Sequence, residues 1–342
     1  MRMLVTGHKG YIGSVLVPRL QAAGHVVEGV DTDLFERCTF IGQPPDIPWH
    51  RIDVRDLERE HLEGYDAIVH LAGLSNDPLG DLNPAVTLEI NYEATIRLAQ
   101  LAREAGVSRF IFSSSCSCYG ATGDDLVAED SATMPVTPYG RSKVLSERDL
   151  LPLATPDFSP IITRSATVYG VSPRLRFDLV LNNLVAWAYS TGRVLLKSDG
   201  TPWRPIIHVE DVCHAFESLL GAPRELVHKG VFNVCRTEEN YRIGEIANIV
   251  AETVKGSQVE YAEGAGPDER CYRVDGSLLP SVVPEFQPQW DARSGAAELL
   301  AAYKAKGVSV DEFEGPRYRR LPHLKALMES GRVDETLRWR AA

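Results

Sequence analysis

Short apolar runs and longer amphipathic stretches alternate along the first half of the chain. Continuous apolar strands that alternate with helices are typical of a parallel sheet covered by helices on both faces. We therefore predict a doubly wound α/β fold here. The runs that predict strands lie at residues 3–6, 26–30, 50–54, 67–71, 109–113 and 160–164, and helical spacing predicts helices at 13–23, 84–105 and 139–150.

The pattern changes after about residue 170, where short strands mix with helices and no Gly/Ser-rich linker intervenes. We expect a first domain over residues 1–170, to which the chain returns at about 205–240. A smaller mixed α/β lobe with a C-terminal tail should occupy residues 171–342. The predicted helices lie at 177–190, 208–221, 243–255, 295–306 and 321–337, and the predicted strands at 194–197, 230–234 and 258–262.

Charge and cysteine content narrow the function class. The 342 residues carry 36 basic and 47 acidic side chains, a net charge of −11, which argues against nucleic-acid and membrane partners. The six cysteines are scattered, so we expect reduced thiols, no metal site and a cytoplasmic protein. No signal peptide is expected, because the first strand leads directly into a glycine-rich turn.

That turn lies between the first predicted strand and the first helix. Glycines there allow a tight turn, close approach of a pyrophosphate and close helix packing, while the helix N-terminus attracts phosphate. The run therefore predicts a dinucleotide site. It reads Gly7-His8-Lys9-Gly10-Tyr11-Ile12-Gly13.

The ends of the neighbouring strands support this prediction. Asp31 closes the second strand, where its carboxylate is placed to accept hydrogen bonds from an adenosine ribose and to repel a 2′-phosphate, so NAD is favoured over NADP. Asp53 and Val54 are expected to face the adenine. The small residues of the run Leu71-Ala72-Gly73 would let the dinucleotide lie close to the backbone.

A second constellation carries acid–base chemistry. Residues 110–115 form an apolar strand that ends in serines, at the edge where open parallel sheets bind ligands. Tyr139 and Lys143 are four residues apart and share one helix face. An ammonium beside a phenol favours the phenolate, which would let Tyr139 move the proton of a sugar hydroxyl while Ser115 holds the same oxygen.

Together these motifs resemble the extended short-chain dehydrogenases/reductases, in particular nucleotide-sugar epimerases and dehydratases of the UDP-galactose 4-epimerase type. The likeness covers about residues 1–280. It also rests on Asn91 and on the runs Arg164-Ser165-Ala166-Thr167-Val168-Tyr169-Gly170 and Arg204-Pro205-Ile206-Ile207-His208-Val209-Glu210-Asp211-Val212.

The resemblance implies a Rossmann domain that binds NAD, a lobe that binds a nucleotide diphosphate sugar, and a Ser/Tyr/Lys site between them. It also implies a homodimer through the helices at 84–105 and 139–150, with Leu98, Leu101, Val144 and Leu145 compatible with such an interface. The expected cofactor-binding residues are Gly7, Lys9, Gly10, Tyr11, Ile12, Gly13, Asp31, Asp53, Val54, Leu71, Ala72, Gly73, Asn91, Ser113, Tyr139 and Lys143.

The two positions after the active-site serine depart from the family's dehydratases, which carry Asp-Glu there. Cys116 and Ser117 stand in their place, so loss of water lacks its usual acid and base. An epimerase or ketoreductase is therefore the leading interpretation. The alternatives are an atypical dehydratase that uses Cys116 or Ser117, and a non-catalytic NAD-binding regulatory or scaffold protein.

The second lobe offers cations for a substrate diphosphate. Arg204 and Asn183 match family positions that contact the nucleotide, and Asp268 with Arg270 partly replaces the family's late Arg–acid pair. Arg174 and Arg176 either clamp phosphate or lie on the surface. The tail beyond about residue 280 has no predicted function, and we expect its Trp339 to pack on the second lobe.

Overall fold

The computed structural model describes residues 1–266 and 270–340. Its strands are β1 (Arg2–Thr6), β2 (Val26–Val30), β3 (Trp49–His50), β4 (Ala67–His70), β5 (Arg109–Ser115), β6 (Ala121–Val127), β7 (Ser159–Ser165), β8 (Thr167–Tyr169), β9 (Arg193–Ser198), β10 (Trp203–His208), β11 (Val231–Val234), β12 (Asn240–Arg242), β13 (Gln258–Gly266) and β14 (Cys271–Val274). Its helices are α1 (Gly13–Ala22), α2 (Asp77–Gly80), α3 (Pro84–Leu88), α4 (Ala94–Glu104), α5 (Pro138–Leu150), α6 (Val180–Thr191), α7 (Val209–Gly221), α8 (Arg224–Val227), α9 (Ile243–Thr253), α10 (Leu278–Val282), α11 (Ala292–Lys306), α12 (Val310–Glu314) and α13 (Arg320–Glu329).

A seven-stranded sheet in the order β11-β7-β5-β4-β1-β2-β3 forms the centre of the first part of the chain. Every pairing in it is parallel. The middle of each inner strand is apolar because helices cover both faces of the sheet; Met3, Leu4 and Val5 of β1 are fully buried. The predicted doubly wound fold is confirmed, and β11 shows the chain returning to the central sheet from beyond residue 171.

Some predicted elements differ in detail. The strand expected at 50–54 is only Trp49–His50, because Asp53 caps a 3₁₀ turn over Val54–Asp56 by accepting a hydrogen bond from the Arg55 N–H. The helix expected at 84–105 contains a π-helical turn, Glu89–Glu93, between α3 and α4. In the tail, α13 ends at Glu329 rather than continuing to 337.

The second lobe consists of three small sheets and the helices packed on them. The sheets have the orders β12-β10-β8, β13-β9 and β14-β6. Since β6 comes from the first half of the chain, the two halves are joined by strand pairing as well as by packing. In residues 1–266 and 270–340 no helix has the length and apolar character needed to cross a membrane.

The end of the C-terminal tail, from α13 onward, packs on the first part of the chain, not on the second lobe. Leu324, Leu327 and Leu337 belong to the same buried apolar cluster as Leu34 and Val54. The Trp339 indole N–H donates to the carbonyl of Thr32 at 2.7 Å. The expected packing of Trp339 on the second lobe is therefore wrong, because the tail crosses back to the edge of the central sheet beside Asp31.

Candidate active site

A cleft of about 940 Å³ lies at the carboxyl ends of the central strands. The residues just beyond β1, β2 and β4 line it, and the serines that end β5 face it. Residues of the second lobe and of the tail form its other walls. The sheet topology thus brings the predicted dinucleotide and acid–base residues into one cavity, as expected for an open parallel sheet.

The glycine-rich turn is shaped for close approach. Gly7 has φ +74°, and a Cβ on it would lie 2.7 Å from the backbone nitrogen of Ala72. A Cβ on Gly13 would lie 2.4 Å from the Gly7 carbonyl oxygen. Side chains are therefore excluded where the N-terminus of α1 meets the cleft, and the turn fits a dinucleotide pyrophosphate.

Asp31 is positioned by the same turn. Its carboxylate accepts hydrogen bonds from the backbone N–H groups of Lys9, at 3.0 Å, and Asp33, at 2.8 Å. Burial raises its pKa, and these two hydrogen bonds oppose that rise. Each oxygen keeps a lone pair for a ribose hydroxyl, and the carboxylate disfavours a 2′-phosphate, so the residues present fit NAD.

The structure separates the other predicted cofactor residues by role. Val54, Tyr11, Ile12, Gly10, Leu71, Ala72, Gly73 and Ser113 line the cleft. Lys9 contributes its backbone only, since its ammonium pairs with Asp33 and lies over the Trp49 ring at 3.4 Å. Asp53 lines the cleft, but its carboxylate is paired with Arg55 at 2.7 Å.

Asn91 acts behind the cleft wall. It lies in the π-helical turn, is 1% exposed and bonds through its amide to both backbone groups of Leu74. Its Nδ2 also donates to the Ser142 hydroxyl of α5 at 3.2 Å. Asn91 therefore ties the loop after β4 to the helix that carries Tyr139 and Lys143.

The start of α5 places Tyr139 and Lys143. Thr137 caps the helix by accepting from the Gly140 N–H, and Pro138 occupies the first turn. Tyr139 and Lys143 are then one turn apart, both nearly buried, on the face that lines the cleft with Ser115. The structure thus brings together the three predicted acid–base side chains.

Electrostatics at these residues differ from the expectation. Burial raises the pKa of the Tyr139 phenol above its ordinary value, with a hydrogen bond from Ser115 opposing the rise. Burial also lowers the pKa of Lys143 to about 8, and its ammonium donates to the Ser113 carbonyl at 2.7 Å. Burial thus opposes the shift of the Tyr139 pKa toward neutrality that the spacing of Tyr139 and Lys143 predicts.

Cys116 and Ser117 occupy different environments. Cys116 is 1% exposed, does not line the cleft and donates its thiol to the Arg164 carbonyl at 3.2 Å. Burial raises the pKa of this thiol well above its ordinary value. The prediction that Cys116 stands among the catalytic groups is contradicted by this position. Ser117 does line the cleft, with its hydroxyl 2.9 Å from that of Ser115.

The predicted substrate residues are mostly at the cleft. Arg176, Asn183, Arg204 and Arg270 line it, whereas Asp268 lies outside the described residues. Arg174 does not line the cleft; it is 3% exposed and pairs with Asp33 at 3.0 Å. Arg176 is also buried and pairs with Asp178 at 3.0 Å. The surface interpretation of Arg174 and Arg176 is therefore wrong.

Sequence reasoning missed a carboxylate in the cleft. Asp77, at the start of α2, accepts hydrogen bonds from Thr137 at 2.5 Å and from Arg270 at 2.7 Å. It follows Asn76, which caps α2 by accepting from the Leu79 N–H. The signal that could have found Asp77 is this Asn-Asp-Pro helix start, in the loop that follows β4 at the ligand-binding edge.

Comparisons with known proteins agree with this geometry. UDP-glucose 4-epimerase of Mycolicibacterium smegmatis is 31% identical over 321 residues, covering 90% of this chain and 99% of that protein. A dTDP-glucose 4,6-dehydratase of Streptomyces griseus is 29% identical, covering 88% and 93%. The solved structure of MoeE5 with UDP-glucose and NAD superposes with a TM-score of 0.77 at 29% identity, covering 90% and 100%.

Residues 3–235 match the NAD-dependent epimerase/dehydratase family. The match, the relatives and the glycine-turn geometry identify NAD as the cofactor. The chain belongs to the NAD-dependent epimerase/dehydratase family of extended short-chain dehydrogenases/reductases, and it is an enzyme of nucleotide-sugar chemistry.

Proposed function

We propose that the chain epimerises a nucleotide diphosphate sugar by reversible hydride transfer at one sugar hydroxyl carbon. The observation that carries this proposal is the set Ser115, Tyr139 and Lys143 in one cleft, next to positions 116 and 117 that hold no carboxylic acid. A ketoreductase would use the same three groups on a keto-sugar supplied as substrate.

The chain's own residues handle the proton. When NAD is bound, its nicotinamide accepts and returns the hydride. Ser115 holds the reacting oxygen by a hydrogen bond, and Tyr139 takes its proton as the carbon is oxidised. Lys143 holds positive charge beside the phenol. In the return step the protonated Tyr139 donates to the carbonyl oxygen, and re-reduction on the opposite face of the sugar gives the epimer.

Among the residues that the structure describes, the groups near Ser115 do not favour loss of water. Elimination needs a placed base for one carbon and an acid for the departing hydroxyl. Cys116 is outside the cleft, and Ser117 is bonded to Ser115. The carboxylate of Asp77 is engaged by Thr137 and Arg270. These positions support epimerisation over an atypical dehydratase.

The second lobe supports a diphosphate substrate. Arg204 and Arg270 line the cleft from that lobe, and the Arg204 guanidinium donates to the Arg270 carbonyl. A guanidinium group suits a phosphate because its planar fork of N–H donors can bind two phosphate oxygens at once. MoeE5, a structural relative, is solved with UDP-glucose and with UDP-glucuronic acid, so these sugars are the first probes.

Product mass tests the proposal. Incubation with UDP-glucose, UDP-glucuronic acid and dTDP-glucose is expected to give at least one new isomer of unchanged mass, measured by mass spectrometry and NMR. A keto-sugar with NADH should gain two hydrogens if the enzyme is a ketoreductase. Loss of one water at a turnover typical of enzymes would instead support the dehydratase and would contradict the proposed mechanism.

We also propose a division of labour between the two parts of the chain. Residues 1–170, with the returning segment 205–240, would bind NAD, and residues 171–342 would bind the nucleotide sugar. The pairing of β11 with β7 supports the return. The end of the tail is the exception, since Leu324 and Leu337 pack with the first part.

A homodimer through α4 and α5 belongs to the same proposal. Leu98 is 1% exposed and packs in the chain's own core, so it cannot contribute to the expected interface. Leu101, Val144 and Leu145 remain half-exposed on the outer faces of these helices. Light scattering at micromolar concentration is expected to give the mass of a dimer, and a monomer there would count against this interface.

A cytoplasmic location is proposed from the cysteines. All six are free thiols, and five of them are buried. Thiols left unpaired in a chain of this size are typical of a reducing compartment.

A further inference from the structure

The tail forms a wall of the cleft to which the proposed chemistry assigns no role. Arg319, Arg320, Leu321 and Pro322, from the start of α13, line it together with Leu337. They lie next to Leu34 and Phe35, which follow Asp31 and line the same cleft. The tail is thus a part of the cofactor half of the cavity.

Arg320 is a buried cation at this wall. It is 2% exposed, and its guanidinium lies 4.3 Å from the centre of the Phe35 ring. Its Nη2 donates to the Arg174 carbonyl at 2.9 Å. Its Nη1 is buried and has no hydrogen-bond partner among the described residues. A buried charged donor without a partner is costly, which indicates that an anionic acceptor completes the site.

The surrounding charges leave the region positive. Asp33 pairs with both Lys9 and Arg174, and Asp178 pairs with Arg176. Arg320 has no carboxylate of its own in these pairs. Among these described residues, Asp31, Asp33 and Asp178 stand against Lys9, Arg174, Arg176 and Arg320, so an anion is favoured next to Arg320.

The backbone of Leu337 is a second, independent observation that places the end of the tail at this cavity. Its φ of +62° lies in the left-handed region, which a leucine rarely adopts because its Cβ crowds the backbone there. The turn is held by the bridge between Val333 and Trp339. The Trp339 ring in turn lies between the guanidinium groups of Arg51 and Arg332, each at 5.1 Å. The tail's end is thereby fixed with Leu337 against the cleft.

We propose that Arg320 is a cofactor-binding residue, whose guanidinium binds the pyrophosphate of NAD and so closes the tail over the adenosine half of the cleft. Its position favours NAD over the substrate diphosphate. Arg320 lies beside Phe35 and Arg174, and Arg174 pairs with Asp33, which also pairs with Lys9 of the glycine turn. Arg204 and Arg270 instead bond to each other and belong to the second lobe. The inference rests on NAD binding and not on epimerisation.

The test compares Arg320→Gln with Arg320→Lys, and with Arg317→Gln as a control for loss of a tail arginine at an exposed position. Calorimetric titration with ADP-ribose and with adenosine separates the phosphates from the nucleoside. Arg320→Gln is expected to weaken ADP-ribose binding by about 10- to 100-fold, the worth of a charged hydrogen bond, and to leave adenosine binding within about twofold. The affinity of Arg320→Lys for ADP-ribose should lie between those of Arg320→Gln and the unmodified chain. The affinity of Arg317→Gln should equal that of the unmodified chain. Release of NAD, followed after dilution, should be faster in Arg320→Gln by a similar factor.

Three results would overturn the proposal. If Arg320→Gln lost affinity equally for adenosine and for ADP-ribose, Arg320 would only shape the cleft wall. A loss for UDP with none for ADP-ribose would place the guanidinium on the substrate. Unchanged binding of every ligand would remove Arg320 from the site. If Arg320→Gln does not fold, hydrogen exchange of α13 in the unmodified protein decides: ADP-ribose should slow it and adenosine should not, and equal effects would refute the contact.

Discussion

Replacing Tyr139 with phenylalanine is expected to lower kcat by about 10²- to 10⁴-fold, the usual contribution of a placed general acid–base group. The substitution removes one hydroxyl and keeps the ring that is buried against the cleft. Binding of the nucleotide sugar should therefore change little, and the loss should appear in kcat and kcat/KM equally.

The electrostatics explain why no neighbour replaces that hydroxyl. Burial raises the Tyr139 pKa and hydrogen bonding with Ser115 opposes that rise, and the ionised phenol is the form that takes the sugar proton. Ser115 is a far weaker acid–base group, and Lys143 is bonded to the Ser113 carbonyl. Steady-state kinetics of Tyr139→Phe, with Tyr65→Phe as a buried tyrosine remote from the cleft, measure the effect. A Tyr139→Phe enzyme with most of its kcat would remove the phenol from the mechanism.

The sequence pattern predicts an element correctly where residues close in the sequence determine its structure. The glycine turn, Asp31 and the Tyr139–Lys143 spacing could be predicted because each follows from a strand–turn–helix sequence or from helical periodicity. The topology then brings these separate signals to one sheet edge without further information, since parallel strands share their carboxyl ends.

What could not be predicted depends on contacts distant in sequence. Nothing local to Trp339 indicates that it bonds to Thr32, roughly three hundred residues earlier. Cys116 reads as a candidate acid because it follows Ser115, yet the turn after β5 directs its thiol to Arg164. The π-helical turn at Asn91 arises from its bonds to Leu74 and Ser142, which periodicity does not report. Burial also decides the pKa of Tyr139, and burial is set by the whole fold.

Replacing Glu147 with alanine is expected to lower the free energy of unfolding by about 3–5 kcal/mol, because it leaves a buried charge without its partner. Glu147 of α5 accepts from the Nε and Nη2 of Arg164 in β7, the latter at 2.7 Å. The two side chains are 6% and 8% exposed. Burial alone would lower the pKa of Arg164, and the Glu147 carboxylate outweighs that and raises it.

The pair also fixes the helix that carries the acid–base residues. Glu147 lies one turn beyond Lys143, and it accepts a hydrogen bond from Ser114 of β5 as well. Loss of Glu147 should therefore loosen α5 against the strands that end at the cleft, so that kcat falls together with stability.

Urea denaturation with a matched set of variants separates the buried charge from lost packing. The double variant Glu147→Leu with Arg164→Met is expected to recover much of the loss, because a buried ion pair replaced by apolar residues of similar volume is often neutral or stabilising. Glu260→Ala, which breaks the exposed pair with Arg193, should change the free energy of unfolding by less than about 1 kcal/mol. If Glu147→Ala were as mild as Glu260→Ala, or if the double variant were no more stable than Glu147→Ala, the uncompensated charge of Arg164 would not be the cause of the loss.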